Sequence, residues 1–154
     1  MVWVIIIILA VVLDQATKMI VVRNLDYGTM IPVIDGFFYF THTTNKGAAW
    51  GLFQNGRIFF LILTAAAAVV ITYVLFKNTN KLLRTALALI LGGAMGNFID
   101  RLFKGSVVDF LDFYFGKWYH FPTFNIADSC VVVGTVLLMY FMLFVYKEKE
   151  KTEG

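Results

Sequence analysis

The polar side chains that could do chemistry in this sequence are mainly aspartates and asparagines next to long apolar segments. Asp14 lies within the first apolar segment, Asn97 lies near the end of the third, and Asp128 lies at the start of the fourth. Ionisable residues at membrane depth are costly, so their presence points to function. Further polar residues of this kind are Asn45, Asp100, Arg101, Asp109, Asp112 and Asn125.

Serine, histidine and cysteine chemistry has no supporting pattern. Ser106 and Ser129 lie outside any Gly-x-Ser-x-Gly motif, and no His-Glu-x-x-His zinc motif is present. The two histidines, His42 and His120, are isolated, and Cys130 is the only cysteine. We therefore expect neither a metal nor a cofactor, and the carboxylates remain as candidates.

Two carboxylates within hydrogen-bonding distance cannot both ionise, so they share a proton. The ionised member can take a proton from water while its neutral partner donates to the oxygen of a scissile carbonyl group. Position alone leaves the choice of pair open. Asp100 is also consistent with a local ion pair to Arg101, and Asp128 with a favourable charge at a helix N-terminus. The candidates are Asp14, Asp100, Asp109, Asp112 and Asp128.

The amino-acid composition indicates that these polar residues belong to a chain largely surrounded by lipid. Of the 154 residues, 60% are hydrophobic and only 15% are charged, and the mean hydropathy is +0.77. A soluble domain has about a quarter of its residues charged, so lipid must cover much of this chain. The net charge of +3 comes from Lys and Arg at segment ends, which favours membrane orientation over a nucleic-acid partner.

Four segments are long and apolar enough to cross a bilayer as helices. They predict an all-α polytopic membrane protein with a single membrane-embedded domain over residues 1–154. The predicted spans cover residues 2–22, 58–76, 82–99 and 127–146.

The basic residues of the short connections predict the orientation, because such residues concentrate on the cytoplasmic side. Lys77, Lys81 and Arg84 surround the link between the second and third spans, and the tail carries Lys147, Lys149 and Lys151. Both termini are therefore expected to be cytoplasmic. The longer connections, residues 23–57 and 101–125, then face outward with most of the polar residues.

Each outer connection contains a sequence pattern that predicts its structure. Residues 29–43 place a Pro- and Gly-containing turn between β-favouring residues, which predicts a small extracytoplasmic β-sheet. Residues 110–121 are dense in aromatic side chains, which predicts an interfacial segment at the level of the lipid headgroups.

Five sequence blocks resemble, in order, the signature blocks of the lipoprotein signal peptidases, also called signal peptidase II. Together they extend from the first span to the fourth. The blocks are DQATK at 14–18, NKGAAWG at 45–51, GGAMGNFIDR at 92–101, VVDFLD at 107–112 and FPTFNIADS at 121–129.

The resemblance implies a bacterial aspartic peptidase of the cytoplasmic membrane that works without a cofactor. Its implied substrate is a diacylglyceryl-modified prolipoprotein, cleaved just before the lipidated cysteine near the extracytoplasmic face. It implies Asp109 and Asp128 as the catalytic pair. It implies supporting or substrate-binding roles for Asp14, Asn45, Asn97, Arg101 and Asn125. Membrane lipid is the only other expected partner, and we expect a monomer.

Two functions of other classes compete with a peptidase. A small proton- or cation-translocating protein would also place acids in a membrane, although here they cluster toward one face and no inverted repeat is visible. A non-catalytic scaffold would tolerate loss of Asp109 and Asp128 singly.

Overall fold

The computed structural model describes residues 1–47, 56–116 and 118–146. Within these ranges the chain forms four long helices, and each is long and apolar enough to cross a membrane. The predicted number of spans is confirmed. Helix α3 extends furthest beyond its predicted end, to Phe103 instead of residue 99. The helices are α1 (Val2–Asn24), α2 (Arg57–Lys77), α3 (Lys81–Phe103) and α4 (Ile126–Tyr140), with a π-helical continuation at Phe141–Tyr146.

Helix α3 is the centre of the bundle, because it packs against each of the other three helices. Small residues permit this close approach. A Cβ atom at Gly96 would lie 2.6 Å from the Asp14 carboxylate in α1, and one at Gly93 would collide with the carbonyl oxygen of Ala127 in α4. These glycines therefore bring the polar part of α1 and the first turn of α4 directly against α3.

One end of the bundle is apolar. Leu75 of α2, Leu83 of α3 and Phe141 form a buried cluster there, and Trp3 of α1 packs against it. The Arg84 guanidinium lies 5.0 Å from the centroid of the Trp3 ring. The start of α1, the α2–α3 link and the end of α4 therefore lie together. The basic tail used to predict the orientation lies outside the described residues.

The two longer connections meet at the other end as one antiparallel sheet with the order β1-β2-β3-β4. The β1–β2 hairpin turns at Gly36, whose φ of +72° favours glycine. The predicted small sheet is confirmed, and it is larger than expected because the second connection also joins it. The strands are β1 (Met30–Ile34), β2 (Phe38–Asn45), β3 (Val107–Phe115) and β4 (Tyr119–Phe124).

Strands β3 and β4 contain most of the aromatic residues of the segment predicted at residues 110–121, so the all-α part of the predicted class is not confirmed. Phe113 of β3 stacks on Phe38 of β2 and on Phe124 of β4, with ring centroids 4.5 Å and 5.7 Å away. Aromatic residues favour strands and stabilise cross-strand pairs, which explains the difference. Their location at headgroup level stays a prediction, as does the single-domain assignment.

Candidate active site

A cavity of about 660 Å³ lies where the sheet meets the adjoining ends of α2, α3 and α4. Most of its wall is apolar and comes from Ala94, Phe121, Phe124 and Val131–Val133. A few polar groups in an apolar surround are typical of a ligand site. These polar residues are Asn45, Thr64, Asn97, Arg101, Asp109, Thr123, Asp128 and Ser129.

Asp109 of β3 and Asp128 of α4 both line this cavity, and Asn125 connects them. The Asn125 amino group donates a 2.7 Å hydrogen bond to Oδ1 of Asp109. The side-chain oxygen of Asn125 accepts a hydrogen bond from the backbone N–H of Asp128 at 2.9 Å. The backbone N–H of Asn125 donates to Oδ2 of Asp128 at 3.3 Å. The second pair of bonds is a capping box at the start of α4. The sequence that begins this helix therefore also positions both carboxylates.

The environment of Asp109 favours its protonated form. Only 3% of the residue is exposed. This burial raises the pKa of Asp109, and the neighbouring Asp128 carboxylate raises it further, to about 7, although hydrogen bonds from Asn125 and Asn45 act in the opposite direction. The two aspartates can therefore hold one proton between them near neutral pH.

Asn45 and Arg101 connect the end of β2 to the cavity. The Asn45 side chain hydrogen-bonds to Asp109 and accepts from the backbone N–H of Gly47 at 2.9 Å. Arg101 donates to the carbonyl oxygen of Gly47 at 2.9 Å, and its guanidinium lies 4.9 Å from the Phe60 ring centroid. Residues 48–51 of the same signature block lie outside the described residues.

Asn97 and Asp14 occupy different positions relative to the cavity. Asn97 lines the cavity and donates a 2.7 Å hydrogen bond to Oδ1 of Asp128. Asp14 does not line it and is fully buried. Its Oδ1 accepts from the backbone N–H of Ala127 at 2.9 Å, so it supports the first turn of α4 from behind.

Sequence reasoning did not include Lys18 among the site residues. Its Nζ lies 2.8 Å from Asp14, 2.9 Å from Asp100 and 2.9 Å from Oδ1 of Asn97. The i, i+4 spacing of Asp14 and Lys18 inside one apolar helix is the signal that could have identified the pair.

Two carboxylates left open by the sequence lie apart from the cavity wall. Asp100 pairs with Lys18 and with Lys104, at 2.8 Å in the second case, instead of with its neighbour Arg101. Asp112 pairs with His120 at 2.5 Å. Among the described residues no group of three or more His, Cys, Asp or Glu side chains is placed to hold a metal ion.

The fold and the site define a polytopic membrane protein with a largely apolar cavity, into which a few polar side chains converge, at one end of its helix bundle. Comparison with known proteins makes this class more specific. The sequence model of the family described as Signal peptidase (SPase) II matches residues 6–144. The lipoprotein signal peptidase of Bacillus pumilus (strain SAFR-032) is 52% identical over 143 residues, covering 91% of this chain and 92% of that protein.

Two solved structures, both described as bacterial membrane enzymes obtained by the in meso method, have the same fold. The first superposes with a TM-score of 0.86 at 37% identity, covering 92% of this chain and 87% of the other. The second gives a TM-score of 0.83 at 36% identity, covering 93% of each chain. The chain belongs to the signal peptidase II family. It is therefore a peptidase and a multi-pass bacterial membrane protein.

Proposed function

We propose that this protein removes the signal peptide from diacylglyceryl-modified prolipoproteins by cleaving just before the lipidated cysteine, with Asp109 and Asp128 as the catalytic pair. The observation that carries the proposal is the bridge made by Asn125, which holds both carboxylates on the wall of one cavity. The family match and the name of the Bacillus pumilus relative support the choice of substrate.

The shared proton explains how the pair cleaves a peptide bond. The ionised aspartate takes a proton from water, and the water oxygen attacks the scissile carbonyl carbon while the neutral aspartate donates its proton to the carbonyl oxygen. The tetrahedral intermediate then breaks its C–N bond. The leaving nitrogen receives the proton taken from water, and the new carboxyl end returns a proton to the pair. This reaction needs no cofactor.

The cavity has a side that suits a lipid-anchored substrate. Val132 and Val133 of α4 line it, yet they are 62% and 51% exposed on the apolar surface of the bundle. Thr64 of α2 also lines the cavity. A diacylglyceryl group can therefore stay in lipid while the peptide enters between α2 and α4. Phe121 and Phe124 of β4 also line the cavity, and we propose that their apolar rings help to exclude water from the bound substrate.

The remaining site residues have supporting roles in this proposal. Asn97 and Asn125 orient the two carboxylates, Asn45 and Arg101 position the end of β2 and contact the substrate, and Asp14 supports α4. We propose that both termini are cytoplasmic, that the sheet and site face the extracytoplasmic side, and that the protein acts as a monomer. An ion pathway is disfavoured because the buried cluster at the other end of the bundle is apolar.

The test is cleavage by purified protein in detergent. The substrate is a diacylglyceryl-modified prolipoprotein, and the matched control is the same precursor without the lipid. We expect cleavage of the lipidated form, with the new N-terminus at the modified cysteine by mass spectrometry. Folded protein that leaves the lipidated form intact would contradict the proposal. Ion flux through the same protein in liposomes would then favour a transporter.

A further inference from the structure

Lys18 determines which end of the Asn97 side chain faces Asp128. A lysine ammonium group has only donors, so the Asn97 atom that lies 2.9 Å from it is the carbonyl oxygen Oδ1. The amino group of Asn97 then faces Asp128 and donates to its Oδ1 at 2.7 Å. The Asn125 amino group lies 3.1 Å from the same Asn97 oxygen and agrees with this orientation.

Lys18 is itself held in one position. The residue is fully buried, and its three donors have three partners: Asp14 at 2.8 Å, Asp100 at 2.9 Å and Asn97 at 2.9 Å. Both carboxylates are also fully buried. Since a buried ammonium group with all donors engaged cannot turn without losing an ion pair, the orientation of Asn97 is fixed from behind the cavity.

The two aspartates differ in their surroundings. Asp128 lies in the first turn of α4, where the helix dipole favours a negative charge, and it accepts the 2.7 Å hydrogen bond from the Asn97 amino group. Asp109 is 3% exposed, which favours its neutral form. The charged residues that act on the pair are Lys18 and Asp14 from α1 and Arg101 from α3, while β2 and β4 present Asn45 and Thr123.

We propose that Lys18 is a positioning residue that makes the catalytic pair asymmetric. By fixing the Asn97 amide it holds Asp128 as the anionic general base, and the shared proton stays on Asp109, the general acid. This inference rests on the proposed function for its meaning in catalysis, but the location of the proton can be tested without substrate.

The kinetic test uses the double variant Lys18→Met/Asp14→Asn. It conserves net charge and keeps an oxygen acceptor for the backbone N–H of Ala127. We expect the acid limb of the bell-shaped kcat/KM profile to move up by about one pH unit, because the Asn97 amide is no longer oriented and the anion on Asp128 loses its donor. The loss of the Asp14 charge offsets part of the loss of the Lys18 charge. The alkaline limb moves less, since Asp109 is bonded to Asn125 instead of Asn97. KM should stay within about twofold, and kcat should fall by about 10-fold or more.

Lys104→Met is the matched control. Lys104 also pairs with Asp100, at 2.8 Å, but is partly exposed and makes no bond to Asn97. The pH profile of kcat/KM for Lys104→Met should match that of wild type. If the double variant does not fold, Asn97→Asp serves instead, since a carboxylate there still accepts from Lys18 but has no N–H for Asp128. An acid limb that stays at the wild-type pH in the variants would overturn the proposal.

Infrared titration of the protein in detergent, without substrate, tests the proton directly. At about pH 6, below the pKa of about 7 for Asp109, wild type should show the carbonyl band of a protonated carboxyl group. The band should vanish in Asp109→Asn. In Asp128→Asn it should persist but titrate at lower pH, because the neighbouring charge that raises the pKa of Asp109 is lost. The reverse pattern would contradict the assignment. Because this readout needs no turnover, it stands even where wild type fails to cleave the lipidated precursor.

Discussion

Asn125 begins helix α4 and holds Asp109 with the same side chain. Its oxygen caps the helix, whereas its amino group donates to the carboxylate. These two roles can be separated by substitution, because serine is a good N-cap residue but cannot supply an amide donor in the same position.

Asn125→Ser should therefore retain most of the thermal stability and lose activity, whereas Asn125→Ala should lose both. The expected loss of stability on removing the cap is about 1 kcal/mol. The measurements are melting temperature in detergent and kcat/KM on lipidated precursor. Wild-type turnover by Asn125→Ser would show that the amino group is not needed.

Because the pKa of Asp109 is raised in the folded protein, we expect the free energy of unfolding to depend on pH. A carboxyl group whose pKa is about 7 when folded, against 3.8 as the ordinary value, destabilises the fold progressively as pH rises from about 4 to about 7. Asp109→Asn removes this penalty. The variant should be more stable than wild type at pH 8, by an amount of the order of a few kcal/mol, and similar to wild type near pH 4.

Thermal unfolding of both proteins across this pH range is the measurement. The control is Asp26→Asn, which removes an exposed carboxylate away from the cavity. Equal stability of Asp109→Asn and wild type at pH 8 would show that Asp109 is not held in an unfavourable environment.

At the scale of elements, the close contact between α1 and α3 depends on Gly96. A side chain there would enter the space of the Asp14 carboxylate, since its Cβ would lie 2.6 Å from Oδ2. Gly96→Val should separate the helices, disturb the Lys18 ion pairs and reduce stability by about 2 kcal/mol or more.

Unfolding of Gly96→Val is compared with that of Leu102→Ala. Leu102 lies on the same helix and is 42% exposed, so its truncation should have a small effect. A Gly96→Val protein as stable and as active as wild type would show that this contact is not required.

The sequence predicted some elements better than others. The spans were predicted because a bilayer demands about 20 apolar residues per helix, and this signal is local. The role of Lys18 was not predicted, because Asn97 and Asp100 lie on another helix and only folding brings them together. The strands formed by the aromatic segment were not predicted, since aromatic density suits both a membrane interface and a strand.

At the scale of the whole molecule, we predict that the sheet and the site face the extracytoplasmic side of the membrane. The α2–α3 link lies at the apolar end of the bundle and the sheet at the other. A Cys130→Ser background allows single cysteines to be placed at Thr79 in the link and at Asp26 beyond α1. In intact cells a membrane-impermeant thiol reagent should label Asp26→Cys, and should label Thr79→Cys only after permeabilisation. The opposite pattern would reverse the orientation.

The catalytic pair is the central claim, and single substitutions in the pair test it most directly. Purified wild type, Asp109→Asn and Asp128→Asn are compared for cleavage of diacylglyceryl-modified prolipoprotein, with Asp112→Asn as the matched control. Asp112 lies on the same strand as Asp109 and is as buried, but it pairs with His120. We expect both pair variants to fold and to lose at least about 1000-fold in kcat, while the control stays active. Turnover by either pair variant at the level of the control would contradict the account.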